Sequence, residues 1–297
     1  MAKTYPFYQV DAFTETPLGG NPCAVLFDTD DLDDAKMLAI AKEMNLSETA
    51  FVRESKVADF GVRYFTPATE IPLAGHPTIA TIYALIVSGR LTLTPPTTSI
   101  HLELKVGPIP IDIHTDNKGH STIVMTQKKP VFLSQHEPST VLPIFGLNEN
   151  DLLAGYPIQT ISTGTPQLFI PLRSADSLKK ATMNVTAYVA YRAQSDFFSP
   201  HLFILGGATP EGKTFARHFG TPPDTMEDPV TGSATGGMGA YLWRYGLIKV
   251  PKFVAEQGHW MMRPGKVFVE VEGSREEIEK VKIGGSAVLV LKGEMVL

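Results

Sequence analysis

Three side chains in this 297-residue chain have the type and setting to carry a proton: Glu48, His76 and Asp228. Glu48 stands in LSETAFV, flanked by apolar Leu46, Ala50 and Phe51. Partial burial there is expected to raise its pKa toward neutrality, which suits a base that must also return the proton. His76 stands in EIPLAGHPTIATIYAL and Asp228 in EDPVTGSATGGMGAYL. Each of these stretches reads as a tight turn feeding a helix. A helix start offers free N–H groups and partial positive charge. Two such starts aimed into one cleft would hold a carboxylate and stabilise an enolate-like charge.

The elements that must position these groups follow from the same two stretches. Pro77 suits the first helical position, because its fixed φ fits and its missing N–H is one the helix leaves unpaired. His76 is then expected at the N-cap, where Ser, Thr, Asp or Asn is usual. Ser233 takes that place in the second stretch. Gly75 and Gly232 read as turn residues that bare the N–H groups. From Ile79 to Val87 almost no polar face is left, so the helix is expected to be buried. Gly89 and Gly246 supply the stops.

The two stretches are copies. Glu70, Pro72, Gly75 and Thr78 recur as Glu227, Pro229, Gly232 and Thr235, at a constant offset (227 − 70 = 157). Upstream, Arg63-Tyr64-Phe65 is echoed by Arg217-His218-Phe219, and Gly20-Asn21-Pro22 by Gly164-Thr165-Pro166. Three matches in one order predict two similar domains, each wrapped round one central helix, with a period far longer than a solenoid's. The expected division is 1–117 with 286–297, and 118–285. The final strand is expected to return to the first domain. Glu70 and Glu227 read as structural partners of Arg63 and Arg217.

Between these landmarks, Tyr5 to Phe13, Cys23 to Phe27 and Asp59 to Phe65 read as strands. Asp31 or Asp33 starts a helix that Asn45 ends. Ser99 to His114 alternates like a hairpin, and His120 to Gln127 opens the second half. Ala175 to Thr182 reads as a helix, and Ala187 to Arg192 and Leu202 to Leu205 as strands. The GHWMMRPG segment reads as a hairpin whose apolar residues belong to the core.

Bulk properties narrow the function class. The chain is 43% hydrophobic and 19% charged with mean hydropathy +0.01, a globular composition of a length that suits two domains. A net charge of −5 without any basic run argues against a nucleic-acid partner. No apolar stretch is long enough for a membrane span, and the N-terminus lacks a signal-peptide pattern. The single cysteine, Cys23, excludes an internal disulfide and a multi-cysteine metal site. The histidines have no metal-ligand spacing, so no metal is expected. The expectation is a cytoplasmic protein.

The pieces VDAFTETPLGGNPCAV, LSETAFV, YFTPATEIPLAGHPT, STGTPQLFIPL, EDPVTGSATG and EQGHWMMRPG, in that order, resemble the PhzF-like phenazine-biosynthesis proteins. The resemblance implies an α+β, diaminopimelate epimerase-like fold: two barrel-like domains, each a curled mixed sheet round a central helix, related by pseudo-two-fold symmetry. It implies a homodimer and no cofactor. It also implies Glu48 as the main acid/base, with His76, Asp228, Gly75, Gly232 and Ser233 lining the site. Phenazine-making members isomerise a dihydro-hydroxyanthranilate by a proton shift. Epimerases of this fold look as if they use two cysteines, one before each helix-start glycine; here those positions are Ala74 and Thr231. A two-thiol racemase is therefore excluded, and isomerisation of a small carboxylate-bearing substrate is favoured. An epimerase pairing Glu48 with Asp228 and a non-catalytic small-acid-binding protein are the alternatives.

Overall fold

The computed structural model describes residues 2–220 and 226–297. These fall into two compact units, Met1–Thr126 with Gly284–Leu297, and Gln127–Ile283.

The first unit begins with β1 (Thr4–Ala12), β2 (Asn21–Leu26), α1 (Asp34–Met44), β3 (Glu48–Arg53), β4 (Phe60–Phe65) and β5 (Glu70–Ile71). It continues with α2 (Gly75–Val87), β6 (Thr97–Leu104), β7 (Gly107–Thr115) and β8 (Ser121–Gln127). The C-terminal strand, Ala287–Val296, pairs antiparallel with β1. Side by side the strands run C-terminal strand, β1, β2, β3, β4, β6, β7, β8, with β5 hung on β4. The β2–β3 and β4–β6 pairs are parallel. α2 buries ten residues, from Gly75 to Ile82 together with Ala84 and Leu85. Stripped of a polar face, it has nowhere to go but the interior. α1 is amphipathic instead. Its Met37, Ile40 and Ala41 pack with Tyr5, Leu26, Phe51 and Phe65, Asp33 caps it through the Lys36 N–H, and Asn45 ends it in the left-handed region.

The second unit contains β9 (Val131–His136), α3 (Pro138–Val141), β10 (Ile158–Ser162), β11 (Pro166–Pro171), α4 (Ala175–Lys180) and α5 (Val185–Arg192). β12 (Ser199–Leu205), β13 (Gly212–Phe219), β14 (Glu227–Asp228), α6 (Gly232–Arg244), β15 (Lys252–Gln257), β16 (Gly265–Gly273) and β17 (Ile278–Gly285) follow; the C-terminal strand is β18. The pairings repeat those of the first unit: β10–β11 antiparallel, β11–β12 parallel, β12–β13 antiparallel, β14 hung on β13, β13–β15 parallel, β15–β16 antiparallel. α6 takes the place of α2.

The copies share contacts where the sequence repeats. Arg63 bonds Glu70 at 2.8 Å and Arg217 bonds Glu227 at 2.8 Å. Each arginine also lies over the phenyl ring two residues on, Phe65 and Phe219. Thr78 and Thr235 each donate back to the carbonyl four residues earlier, on Ala74 and Thr231. Gly89 and Gly246 have φ of 74° and 70° just beyond the helix ends, where the following N–H groups turn back to Leu85 and Leu242. Only glycine takes that conformation without strain.

Several expectations are corrected. His120 to Gln127 does not open the second half: β8 is the next strand of the first unit's sheet, paired with β7. Ala187 to Arg192 is helical, part of α5, capped by Asn184 and set on the sheet by buried Tyr188. Its Val and Tyr content suits a strand, but tertiary packing overrides so weak a preference. The WMM cluster is not core: it forms a short 3-10 turn in which Trp260 and Met262 are exposed.

Candidate active site

The two helix starts differ from the sequence reading in one respect. The N-caps are Ala74 and Thr231, both extended, so His76 and Ser233 are second helical residues and Pro77 is the third. The first-turn N–H groups have no partner within the helix, so proline loses nothing anywhere in that turn. Neither Gly75 nor Gly232 has a positive φ. They are helical residues, and both are buried.

In the first unit, β3 opens with Glu48, in register with Cys23 of the parallel neighbour β2. His76 reaches it from the first turn of α2, with Nε2 3.2 Å from Glu48 Oε2. The imidazole is 5% exposed and the carboxyl 18%, so only the latter opens to solvent. Burial pushes the His76 pKa down to about 3, against a hydrogen bond to the Pro22 carbonyl that favours the charged ring. His76 is therefore neutral. Nε2 has no aligned hydrogen-bond partner, so Nδ1–H is the group that donates to Pro22, and Nε2 turns a lone pair toward Glu48. The Tyr64 hydroxyl lies 3.0 Å from Thr78 Oγ1, which donates to the Ala74 carbonyl and fixes the helix start. The Cys23 thiol is fully buried and raised by burial and by the negative charge of Glu48. It has none of the thiolate character that nucleophilic or proton-transfer cysteines show.

In the second unit, Asp228 lies in β14, opposite His218. Its carboxylate accepts a 2.5 Å hydrogen bond from Thr231 Oγ1, the N-cap hydroxyl of α6. The helix start is tied from behind: the Gly232 carbonyl accepts from Gln127, and the Ser233 carbonyl from Thr163. No acidic residue occupies the first turn of α2 or α6; the carboxyl groups nearest the two helix starts are Glu48 and Asp228, brought there from β3 and β14.

The structure brings two of the three sequence candidates, Glu48 and His76, within 3.2 Å of each other and sets Asp228 beside the start of α6. Sequence reasoning assigned no role to the hydroxyl of Thr231 or the amide of Gln257. It also missed a buried histidine pair, because His201 and His218 come together only by strand register.

A family model described as phenazine biosynthesis-like protein matches residues 10–293. The chain belongs to the PhzF-like family. An uncharacterised isomerase of Clostridium acetobutylicum is 36% identical, over 100% of both chains. The trans-2,3-dihydro-3-hydroxyanthranilate isomerase of Pseudomonas fluorescens is 33% identical, over 97% of this chain and 98% of that protein. Among solved structures, a PhzF-family phenazine biosynthesis protein of Bacillus anthracis superposes with a TM-score of 0.89. It is 33% identical and covers 99% of this chain and 100% of its own. The fold is the diaminopimelate epimerase-like one that this family shares with proline and hydroxyproline epimerases, and the chain is an isomerase.

Proposed function

We propose that this PhzF-like isomerase moves a proton within a small carboxylate-bearing substrate by acid/base catalysis, without a cofactor. The observation that carries the reading is the 3.2 Å approach of the His76 Nε2 lone pair to the Glu48 carboxyl at the buried start of α2. Glu48 takes the proton from carbon and returns it. While Glu48 holds the proton, His76 Nε2 accepts a hydrogen bond from it; a protonated imidazole would have no lone pair for this. In each unit the first-turn N–H groups, at Gly75 in α2 and at Gly232 and Ser233 in α6, have no partner within the helix and suit a substrate carboxylate. Delocalised negative charge formed when the C–H bond breaks is stabilised by the same dipoles.

The named activity of the Pseudomonas relative makes dihydro-hydroxyanthranilates the first substrates to try. The test is a survey of small acids in deuterium oxide by proton NMR, scoring C–H exchange that requires the protein. Glu48→Gln is expected to slow exchange by about 10²–10⁴-fold with the fold intact. Unchanged exchange in that variant removes the proposal. One second reading is epimerisation with Asp228, whose carboxyl accepts from the Thr231 hydroxyl, as an acid/base group. Loss of optical rotation together with deuterium incorporation at a stereocentre distinguishes it from allylic isomerisation. A cytoplasmic homodimer completes the proposal, with light scattering of the purified protein as the check on assembly.

A further inference from the structure

We infer that Gln257 is a positioning residue that sets the carboxylate of Asp228 through the hydroxyl of Thr231. The inference rests on the reading that Asp228 acts on substrate.

Gln257 ends β15 and is 3% exposed. Its amide spans both sides of the turn between β14 and α6. Nε2 donates to the Asp228 carbonyl at 2.7 Å and to Thr231 Oγ1 at 3.2 Å, and Oε1 accepts from the Thr231 N–H at 3.1 Å. The two Nε2 hydrogens and one lone pair of Oε1 are thereby committed to two residues three positions apart. The consequence for Thr231 is directional. A hydroxyl has one proton. With Gln257 donating to its oxygen, that proton is left for Asp228 Oδ2, where the contact is 2.5 Å. A carboxylate that accepts such a bond is favoured in its ionised form and fixed in rotamer. Gln257 bonds the Asp228 carbonyl and Thr231, and its route to the carboxylate runs through the Thr231 hydroxyl.

The neighbours fit the same purpose. Gly258, at φ 83°, lets the Pro229 carbonyl approach to 2.6 Å from where a Cβ would stand. On the other face of β15, buried Glu256 is taken up by the N–H and hydroxyl of Thr209. The Glu-Gln-Gly run thus anchors one loop with its first residue, the β14–α6 turn with its second, and admits that turn's backbone with its third.

The test follows the Asp228 carboxyl directly by 13C NMR titration, in the wild type, Gln257→Met, Thr231→Val and Thr231→Ser. Among the described residues, the charged and titratable groups on the surrounding elements are neutral His218, Glu227 paired with Arg217, Glu256, His259 and Arg263. All are retained in every variant. The Asp228 midpoint is expected to rise by about one pH unit in Thr231→Val, to rise in the same direction in Gln257→Met, and to stay at the wild-type value in Thr231→Ser. A folded Gln257→Met protein with a wild-type midpoint overturns the inference. If Gln257→Met does not fold, a wild-type midpoint in Thr231→Val overturns it equally. The underlying reading is tested separately by Asp228→Asn in the deuterium-exchange assay. Undiminished exchange there removes Asp228 from catalysis while leaving the titration result to stand on its own.

Discussion

Water reaches Glu48 and barely reaches His76, and the division of labour between them follows. A buried imidazole loses the hydration that stabilises its charged form. With a pKa pushed down to about 3, His76 has no charge change across the physiological range and serves as a fixed acceptor. Nitrogen-15 NMR of the folded protein is expected to show His76 as the Nδ1–H tautomer from pH 8 to pH 5, with no titration step. A step near 6.5 would make it a proton carrier in its own right. The Thr231 hydroxyl does for Asp228 what the His76 lone pair does for Glu48, with the opposite sense: one group offers a proton and the other offers an acceptor. Glu48 was singled out chiefly by the resemblance of LSETAFV to the family's motif, because a glutamate at a strand mouth is by residue type alone most often just solvated. Thr231 and Gln257 were not, because a hydroxyl and an amide are common everywhere and gain meaning only from what lies within 3 Å.

The central helices carry their sequence constraints differently. α2 is filled with Ile, Ala and Leu, whereas α6 reads GSATGGMGAYLWR, a composition that costs helix stability in isolation. Close packing explains the glycines. A Cβ on Gly237 would stand 2.6 Å from Phe169 of β11, and one on Gly239 2.6 Å from Val269 of β16. Gly237→Ala is therefore expected to destabilise by about 1–3 kcal/mol through overpacking, despite alanine's better helix propensity. Gly89→Ala meets nothing within 4 Å and is expected to cost about 1 kcal/mol from its positive φ alone. Urea denaturation of the two variants measures both, and a stabilised Gly237→Ala would refute the packing account. The helix existence and burial of α2 were plain from its apolar run. Its start was read two residues late, since proline is as acceptable at the third position as at the first.

Across the whole chain, the buried histidines link stability to pH. In the second unit, Ser199 Oγ donates to Gln167 at 2.6 Å and lies 2.9 Å from His218 Nε2, so His218 holds its proton there. The 3.3 Å contact between the Nδ1 atoms of His218 and His201 then takes its proton from His201. A further proton on His218 would sit on Nδ1 and face the His201 N–H, and one on His201 would sit on Nε2, a buried atom without a hydrogen-bond acceptor. Burial lowers the pKa of both, to about 3 for His218, and the neighbouring ring adds to the effect on His201. The folded values lie below the unfolded value of about 6.5. The unfolded chain therefore binds more protons between these limits. Stability is complete above about pH 6.5 and is lost as pH falls toward 3, by up to about 1.4 kcal/mol per pH unit for each such histidine. The urea midpoint is expected to drop between pH 7 and pH 4.5, and to drop less in His201→Phe. An equal drop in that variant would assign the acid sensitivity elsewhere.

The sequence by itself determined the repeat, the two central helices, the arginine–glutamate pairs and the carboxylates worth testing, because each is written in residue type and local spacing. Tertiary structure decided which lone pair faces which proton. The His76 tautomer depends on a carbonyl 54 positions away (76 − 22 = 54) and the Thr231 rotor on an amide 26 positions away. The histidine pair exists only through strand register. Hydrogen bonds act over about 3 Å, and no local pattern in a chain records which distant atoms folding will bring within that reach.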